Sequence, residues 1–283
     1  MPVPALPDLM IEPIVRSALL EDLGRAGDIT TQAVIPADAR FAAIFAARQA
    51  GVVAGIDCAR LAMTLMGANF ETVLPDGSVV VPGDIIARVD GPAAAVLAGE
   101  RVALNFLCHL SGVASQTAAY VAAVSGTGVR IAEIRKTMPG LRGLQKHAVK
   151  CGGGLNHRFG LDDAILIKDN HIAICGGVAA ALERARAAAG HLVKIEVEVD
   201  SLEQLHEALP FAPDVVLLDN FTLDDLREAV ALAKGKTVLE ASGGVNMTTV
   251  RAIAETGVDV ISIGALTHSV PNFDIGLDAH VPK

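Results

Sequence analysis

The chain has 283 residues, of which 52% are hydrophobic, and it carries a formal net charge of −9. This length and composition predict a folded protein with one large domain or two modest ones, and they exclude an intrinsically disordered chain. The acidic balance argues against binding to a nucleic-acid backbone. Because Trp is absent and Tyr120 is the one tyrosine, the chain also offers few aromatic rings on which bases could stack.

The cysteines and the apolar segments bear on the cellular compartment. The four cysteines are widely spaced and form no C-x-x-C pair, which disfavours a disulfide framework or a zinc site and favours a reducing compartment. The N-terminal residues lack the basic and apolar segments of a signal peptide. Residues 102–129 contain no Lys, Arg, Asp or Glu, but their polar side chains are more typical of a buried helix than of a membrane span. We therefore expect a soluble, cytoplasmic protein that binds neither membranes nor nucleic acid.

Residues 1–114 are predicted to form an α+β open sandwich domain. Apolar residues at helical spacing predict a helix over 8–24, ended by Gly24, and further helices over 56–66 and 93–110. Turn signals at 75–77 and 82–84 separate short apolar runs that predict strands over 41–48, 51–54, 72–74, 78–81 and 84–89. We expect the C-terminal tail, 269–283, to join this domain.

From residue 115 the pattern changes to alternating strands and helices. Strands are predicted over 129–134, 164–167, 193–199, 214–218, 237–241 and 258–263, and helices over 143–150, 177–188, 201–208, 222–233 and 247–255. This alternation predicts a parallel sheet covered by helices. Polar or small residues follow all six strands, which favours the rim of a barrel over the single crevice of an open sheet. Residues 115–268 are therefore predicted to form an incomplete parallel α/β barrel of about six to seven strands.

A cluster of cations lies inside this acidic chain. Residues 130–168 hold eight Lys or Arg against three acids, a local balance of +5. Such a cluster predicts a pocket for a small, highly charged anion. For Lys146 and Lys150 the alternative is a solvated helix face.

Two small-residue loops follow the last two predicted strands. They are Ser242-Gly243-Gly244 and Ile263-Gly264-Ala265. Barrels often bind a phosphate group with these loops, through backbone N–H groups. The alternative is a pair of ordinary tight turns.

Carboxylates also stand at the predicted strand ends. Glu196 and Glu198 share one face of their strand because side chains alternate, and Asp219 ends the next strand. Carboxylates among cations could form structural ion pairs, but at barrel strand ends they more often serve chemistry or hold Mg²⁺. A magnesium-bound phosphorylated sugar fits this mixture of groups.

These motifs together resemble the quinolinate phosphoribosyltransferase family, the type II phosphoribosyltransferases. The resemblance covers nearly the whole chain, and its motifs are weak singly but highly specific in this order: Glu21-Asp-Leu-Gly24, Gly27-Asp-Ile-Thr-Thr31, Glu100-Arg-Val-Ala-Leu-Asn-Phe-Leu107, Arg135-Lys-Thr-Met-Pro-Gly-Leu-Arg142, Asn156-His-Arg158, Ile167-Lys-Asp-Asn-His171, Glu196-Val-Glu-Val199, Leu218-Asp-Asn220, Ser242-Gly-Gly244 and Gly264-Ala-Leu-Thr267. Ile134 and Met138 depart from the usual residues, each a Thr, without removing a charged group.

The resemblance implies a pentosyl transfer. Quinolinate attacks C1 of phosphoribosyl pyrophosphate, Mg-pyrophosphate leaves, and CO₂ is lost to give nicotinate mononucleotide for NAD synthesis, without an organic cofactor. It implies that Lys136, Glu198 and Asp219 are catalytic, with Glu198 and Asp219 holding Mg²⁺ directly or through water. It implies quinolinate contacts from Arg101, Arg135, His157, Arg158 and Lys168. The implied contacts to phosphoribosyl pyrophosphate are Lys136, Lys168, Glu198, Asp219, Ser242, Gly243, Gly244, Ile263, Gly264 and Ala265.

The resemblance also implies a homodimer in which Arg101 reaches the neighbouring site, and it leaves a higher oligomer open. Three alternatives remain for the function. Relatives associated with molybdenum transport share part of the Arg135–Arg142 pattern but act on an unknown acceptor, whereas Arg142 and Arg158 favour quinolinate. Nicotinate phosphoribosyltransferase would not need a clamp for a second carboxylate. A non-catalytic metabolite-binding protein could lose Glu198 or Asp219, and both are present.

Overall fold

The computed structural model describes residues 3–279. Its helices are α1 (Asp8–Leu23), α2 (Ile29–Val34), α3 (Ile56–Met66), α4 (Ala93–Ala123), α5 (Arg142–Cys151), α6 (Asp169–Cys175), α7 (Val178–Ala188), α8 (Leu202–Ala208), α9 (Leu223–Ala233), α10 (Val250–Ala254) and α11 (Ala265–His268). Its strands are β1 (Arg40–Ala47), β2 (Gly51–Val52), β3 (Asn69–Thr72), β4 (Val79–Val80), β5 (Ile85–Pro92), β6 (Arg130–Ala132), β7 (Ile165–Ile167), β8 (Ile195–Val199), β9 (Val215–Asp219), β10 (Val238–Ser242), β11 (Val260–Ser262) and β12 (Ile275–Ala279).

The described residues divide into two compact units that interleave along the chain. The first contains 3–118, 137–153 and 266–279, and the second contains 119–136 and 154–265. The predicted domain ranges, 1–114 and 115–268 with the tail 269–283, remain a prediction, and residues 1–2 and 280–283 of those ranges lie outside the described residues.

The first unit is built on an antiparallel sheet with the strand order β12-β1-β5-β3. The C-terminal strand pairs with β1 in the register Phe45↔Leu277, so part of the tail lies in this unit. Phe45 is fully buried, and its ring lies 5.8 Å from that of Phe70. Helix α1 adds Ile11, Val15 and Leu19 to the same core, one turn apart on one face. These helix and strand predictions were correct in kind.

Helix α4 is much longer than predicted. By length and composition it is the one described helix that could cross a membrane, yet 56% of its most apolar window is buried within the structure. Val96, Leu107, Leu110 and Val113 belong to the core of the first unit. A buried helix needs apolar residues on several faces, which explains the absence of charged residues after Arg101.

The second unit contains a six-stranded, fully parallel sheet with the order β6-β11-β10-β9-β8-β7. The six predicted strands are all present, and the predicted fold class is confirmed. Central side chains such as Val197, Val216 and Leu218 are fully buried. Ser201 and Thr222 accept hydrogen bonds from the backbone of the first turns of α8 and α9, so the predicted helix starts are also correct.

One buried side chain ties three segments of the first unit together. Gln145 on α5 is fully buried, and its Oε1 accepts a hydrogen bond from the backbone of Met138 at 2.9 Å. Its Nε2 donates to the carbonyl of Thr267 at 2.8 Å and lies 2.9 Å from Nε2 of His109. Burial lowers the pKa of His109. A neutral His109 ring can accept a hydrogen bond from the side-chain amide of Gln145. The amide group of Gln145 can therefore form hydrogen bonds with all three of these neighbours.

We predict that Gln145→Leu destabilises the protein. The substitution removes the hydrogen bond that Gln145 donates to the buried Thr267 carbonyl, which costs about 1–3 kcal/mol in the free energy of unfolding. Denaturant unfolding monitored by circular dichroism measures the loss. Gln116→Leu is the matched control, because Oε1 of Gln116 makes no hydrogen bond within residues 3–279. Equal losses in the two variants would contradict the role of Gln145.

Candidate active site

A cavity of ≈ 400 Å³ opens at the carboxyl ends of the parallel strands in the second unit. Its lining comes from five strand ends and one loop: Ile134, Arg135, Lys136, His157, Arg158, Leu166, Lys168, Glu198, Leu217, Asp219 and Ser242. Parallel strands bring residues that are remote in sequence to one edge, where barrel enzymes build their sites. Eight of the predicted site residues therefore meet in one cavity.

Two guanidinium groups share this cavity. Nε of Arg135 and Nε of Arg158 are buried, and neither has a hydrogen-bond partner in the described part of the chain. Nη1 of Arg158 donates to the carbonyl of Ala164 at 2.9 Å, which fixes the side chain. Burial, and then the positive charge of Arg135, lowers the pKa of Arg158. Two like charges held together with unused donors form a site suited to a ligand with two anionic groups.

Both carboxylates of the cavity accept hydrogen bonds from neighbouring side chains. Lys168 donates to Glu198 at 2.9 Å, and these residues stand at the ends of the neighbouring strands β7 and β8. Asp219 ends the next strand, β9, and its carboxylate accepts a hydrogen bond from the side-chain amide of Asn220 at 2.9 Å. Two carboxylates on neighbouring strands offer the oxygen ligands that Mg²⁺ prefers, with room for phosphate oxygens and water. The donor set therefore fits the predicted ion.

His157 lies at the edge of the cavity and bonds inward. Its Nε2 lies 2.9 Å from Oε2 of Glu196 and 3.8 Å from Oε1 of Glu240. Its Nδ1 accepts a hydrogen bond from the amide of Arg158 at 2.8 Å. Both ring nitrogens are therefore engaged within the protein. Direct contact of His157 with a ligand remains a prediction, and it requires one nitrogen to change partner.

A layer of buried acids lies beneath the cavity. We define the acid layer as Glu133, Glu196 and Glu240, which are 7% exposed or less. Each precedes a cavity residue by two positions, and strand alternation places Glu196 with Glu198, and Glu240 with Ser242, on the same face at successive depths. Glu196 is among the carboxylates predicted at the strand ends, whereas Glu133 and Glu240 were not predicted, although the same two-residue spacing from Arg135 and Ser242 could have found them.

The acid layer changes the protonation of its members. Burial, and then the negative charge of Glu196, raises the pKa of Glu240 to about 7. Burial lowers the pKa of His157, but the hydrogen bond to Glu196 and the charges of the three glutamates outweigh it and raise that pKa. The Arg158 amide opposes protonation at Nδ1 because it donates to that nitrogen. We therefore assign the shared proton to Glu240 and place the ring proton of His157 at Nε2, which faces Glu196.

The small-residue loop after β10 packs closely on its neighbour. Gly243 has a φ of 95°, and a Cβ there would collide with Oδ1 of Asn220. The backbone N–H of Asn220 donates to the carbonyl of Ser242 at 2.9 Å, and Asn220 adopts a positive φ of 58°. Ser242 lines the cavity, whereas Gly243, Gly244, Ile263, Gly264 and Ala265 lie outside its lining. The last three begin where the neighbouring strand β11 has just ended.

Arg101 is the predicted site residue on the first unit. It is exposed on α4 and does not line the cavity. A smaller cavity of ≈ 270 Å³ in that unit is lined by Ala18, Glu21, Asp22, Val102, Asn105, Phe106, His109 and Leu141. Its lining contains two acids and no lysine or arginine, so it does not match the predicted anion site.

We predict that Glu240→Gln changes how stability depends on pH. Folding raises the pKa of Glu240 from 4.5 to about 7. The contribution of Glu240 to the stability of the fold is therefore fully present below pH 4.5 and is lost as the pH rises through 7. The amide of the variant stays neutral at every pH. The Tm of the variant minus that of the wild type should therefore increase as the pH is raised from about 5 to about 8. Thermal unfolding at both pH values measures the difference. Glu203→Gln, on the surface, is the control, and the same Tm difference at both pH values would contradict the assignment.

Comparisons with known proteins agree with this geometry. The family model for the C-terminal domain of quinolinate phosphoribosyl transferase matches residues 113–278, and that for its N-terminal domain matches 28–111. A nicotinate-nucleotide pyrophosphorylase [carboxylating] of Mycobacterium leprae is 46% identical over 93% of this chain and 95% of its own length. The probable enzyme of that name from Bacillus subtilis is 43% identical, over 95% of this chain and 93% of its own.

A solved structure extends the likeness to three dimensions. The nicotinate-nucleotide pyrophosphorylase of Francisella tularensis superposes with a TM-score of 0.94 over 99% of both chains, at 36% sequence identity. Both family models, the relatives and the fold agree over almost the full length of the chain. The chain therefore belongs to the quinolinate phosphoribosyltransferase family.

Proposed function

We propose that the protein transfers the phosphoribosyl group of phosphoribosyl pyrophosphate to quinolinate, with release of pyrophosphate and CO₂, to give nicotinate mononucleotide for NAD synthesis. The observation that carries this proposal is the pair of guanidinium groups, Arg135 and Arg158, in one cavity with Lys136 and Lys168. Quinolinate is a dicarboxylate, and its co-substrate is a polyanion. Both need concentrated positive charge in a small volume. The names of the full-length relatives support the same reaction.

The quinolinate carboxylates are assigned to the cations on one side of the cavity. Arg135 and Arg158 act as planar donors that can bind carboxylates through two hydrogen bonds each, and Lys168 adds a point charge. His157 lies beside them at the cavity edge. In the proposed homodimer, Arg101 of a second copy completes this set. Its exposure on α4, away from the lining of the cavity, is compatible with that role.

The phosphoribosyl pyrophosphate is assigned to the other side, and Lys168 is shared between the two substrates. Ser242, Gly243 and Gly244, together with Ile263, Gly264 and Ala265, would surround its 5′-phosphate with backbone N–H groups. Lys136 and Lys168 would neutralise the pyrophosphate. Glu198 and Asp219 would hold the ribose hydroxyls and, directly or through water, Mg²⁺. When bound, this ion supplies charge neutralisation to the leaving pyrophosphate.

The chemistry then follows from charge. The pyridine nitrogen attacks C1 of the ribose as the bond to pyrophosphate breaks, and positive charge develops on the sugar. The carboxylates of Glu198 and Asp219 stabilise that charge. Once bonded, the ring nitrogen is cationic, so it stabilises the electron pair that loss of CO₂ leaves on the adjacent ring carbon, and this carbon then takes a proton from solvent. The substrate is its own electron sink, and no organic cofactor is needed.

The compartment and the assembly form part of the same proposal. All four cysteines are free thiols, which supports a reducing cytoplasm. The homodimer provides the route by which Arg101 reaches quinolinate. A higher assembly stays open.

We predict turnover with quinolinate and not with nicotinate. Purified protein with phosphoribosyl pyrophosphate and Mg²⁺ should release CO₂ and form nicotinate mononucleotide from quinolinate, because the paired guanidiniums need the second carboxylate. Arg158→Gln should raise the KM for quinolinate by about 10- to 100-fold, as expected for loss of a charged hydrogen-bond donor. The control is Arg186→Gln, whose guanidinium donates to the carbonyl of Ala212. Turnover with nicotinate alone would contradict the dicarboxylate clamp, and no turnover with either acid would favour an unknown acceptor.

We also predict that the carboxylates at the strand ends act on the chemical step. Glu198→Gln and Asp219→Asn should each lower kcat by about 100-fold, since each removes a charge that the transition state needs. Both variants should need more Mg²⁺ for half-maximal rate. The matched control is Asp200→Asn, because Asp200 directly follows β8 but does not line the cavity. Loss of rate in the control equal to that in the variants would contradict the assignment.

A further inference from the structure

The loop 156–158 is fixed from below by the acid layer. Leu155 runs beside β6, where it donates to the carbonyl of Ile131 at 2.8 Å and accepts from the amide of Glu133 at 3.3 Å. The Glu133 carboxylate accepts a hydrogen bond from the His157 amide at 3.0 Å. The chain therefore enters the loop with its direction set on both sides of Asn156.

Contacts of the His157 ring fix the position of Arg158. Nε2 of His157 lies 2.9 Å from Oε2 of Glu196, and the His157 side chain is 10% exposed. The same ring accepts the Arg158 amide through Nδ1, so the orientation of the ring also fixes the backbone of Arg158. The side chain of Arg158 extends from the loop and lines the cavity. A rotated imidazole would break the contact at one end or the other.

The acids are not needed to fill space. The residues paired with Glu196 and Glu240 on neighbouring strands are the leucines Leu166 and Leu217, which themselves line the cavity. Burying carboxylates costs free energy, and apolar residues of similar volume are often neutral or stabilising in their place. Oε1 of Glu196 is buried without a hydrogen-bond partner in the described ranges, so its burial is not fully compensated. Stability alone therefore does not account for an acid at this position.

We propose that Glu133 and Glu196 are positioning residues that hold the loop 156–158, and with it the Arg158 guanidinium, in the orientation that binds quinolinate. This inference rests on the proposed function. Neither acid lines the cavity, so each acts through His157. The consequence is selective. Loss of an acid should weaken quinolinate binding and leave the phosphoribosyl side of the cavity unchanged.

Two substitutions at Glu196 test this role. Glu196→Leu keeps the volume but removes the acceptor, and we expect the KM for quinolinate to rise by about tenfold or more, with the KM for phosphoribosyl pyrophosphate within about twofold. Glu196→Gln keeps an acceptor oxygen for His157 and should restore most of the loss. Glu133→Gln, which keeps the acceptor for the His157 amide, should also stay close to the wild type, whereas Glu133→Leu should behave like Glu196→Leu.

The control is Val197→Ala on the same strand. Val197 is fully buried on the opposite face from Glu196, so its truncation lowers stability without touching the loop. A general loss of stability would change the same parameters in both variants. If Val197→Ala raises the KM for quinolinate as much as Glu196→Leu does, or if Glu196→Leu raises both KM values equally, the positioning role is wrong.

Calorimetric titration with quinolinate separates this inference from the proposed function. Wild-type turnover of quinolinate, combined with unchanged quinolinate affinity in Glu196→Leu, would overturn the inference and leave the function in place. A wild type that neither turns over nor binds quinolinate would overturn both. Weaker binding of quinolinate in Glu196→Leu, restored in Glu196→Gln, supports the positioning role by a readout that does not depend on turnover.

Discussion

The repulsion between Arg135 and Arg158 is the constraint on which the site depends. Two guanidinium groups with buried Nε atoms share a cavity of ≈ 400 Å³, and the charge of Arg135 opposes that of Arg158. Such an arrangement persists only when negative charge offsets it from another direction. The acid layer offers this charge from below, since Glu196 acts on Arg158 in the opposite sense to Arg135. The proposed ligand supplies the remainder from above.

A parallel sheet is well suited to building such a stack of charges. Side chains two positions apart point to the same side of a strand, so one strand can present a buried acid and, one step nearer the edge, a group in the cavity. Strand β8 does this with Glu196 and Glu198, and β10 does it with Glu240 and Ser242. The inner groups fix and balance the outer ones. Strand register therefore sets the positions of Glu198 and Ser242, whereas Arg158 depends on the loop 156–158 that the acid layer holds.

The sequence predicted those parts of the structure that depend on local order. The six parallel strands were recognisable because each is a short apolar run followed by polar residues, and the helix starts at Ser201 and Thr222 because a hydroxyl caps each one. Helix α6 was missed, since it begins at Asp169, directly inside a motif read as a strand end. The full length of α4 was missed because a helix that is buried on several faces loses the amphipathic period.

The candidate site was predictable to a similar degree. Arg135, Lys168 and Asp219 could be placed because each follows a predicted strand, and the sheet then brings them together. Glu240 was not predicted: its two-residue spacing from Ser242 was the available signal, but buried glutamates are rare and only the packed sheet shows that this one lies beside His157. The direction of the His157 ring was equally hidden, since it depends on a contact between separate strands.

The pairing of Lys168 with Glu198 shows how the site can be stable and still accept its ligands. The lysine side chain is 48% exposed, so its ion pair at 2.9 Å contributes little to folding and costs little to break. Arg158, by contrast, is tied by its backbone to His157 and by its guanidinium to Ala164. The cavity thus combines one cation whose position is fixed with one that can exchange partners. In the proposed function the fixed guanidinium would orient the acceptor acid, and the movable lysine would exchange the carboxylate of Glu198 for an arriving anion. The two cations differ because Arg158 lies against the buried acid layer, whereas the Lys168 side chain is half exposed at the rim of the cavity.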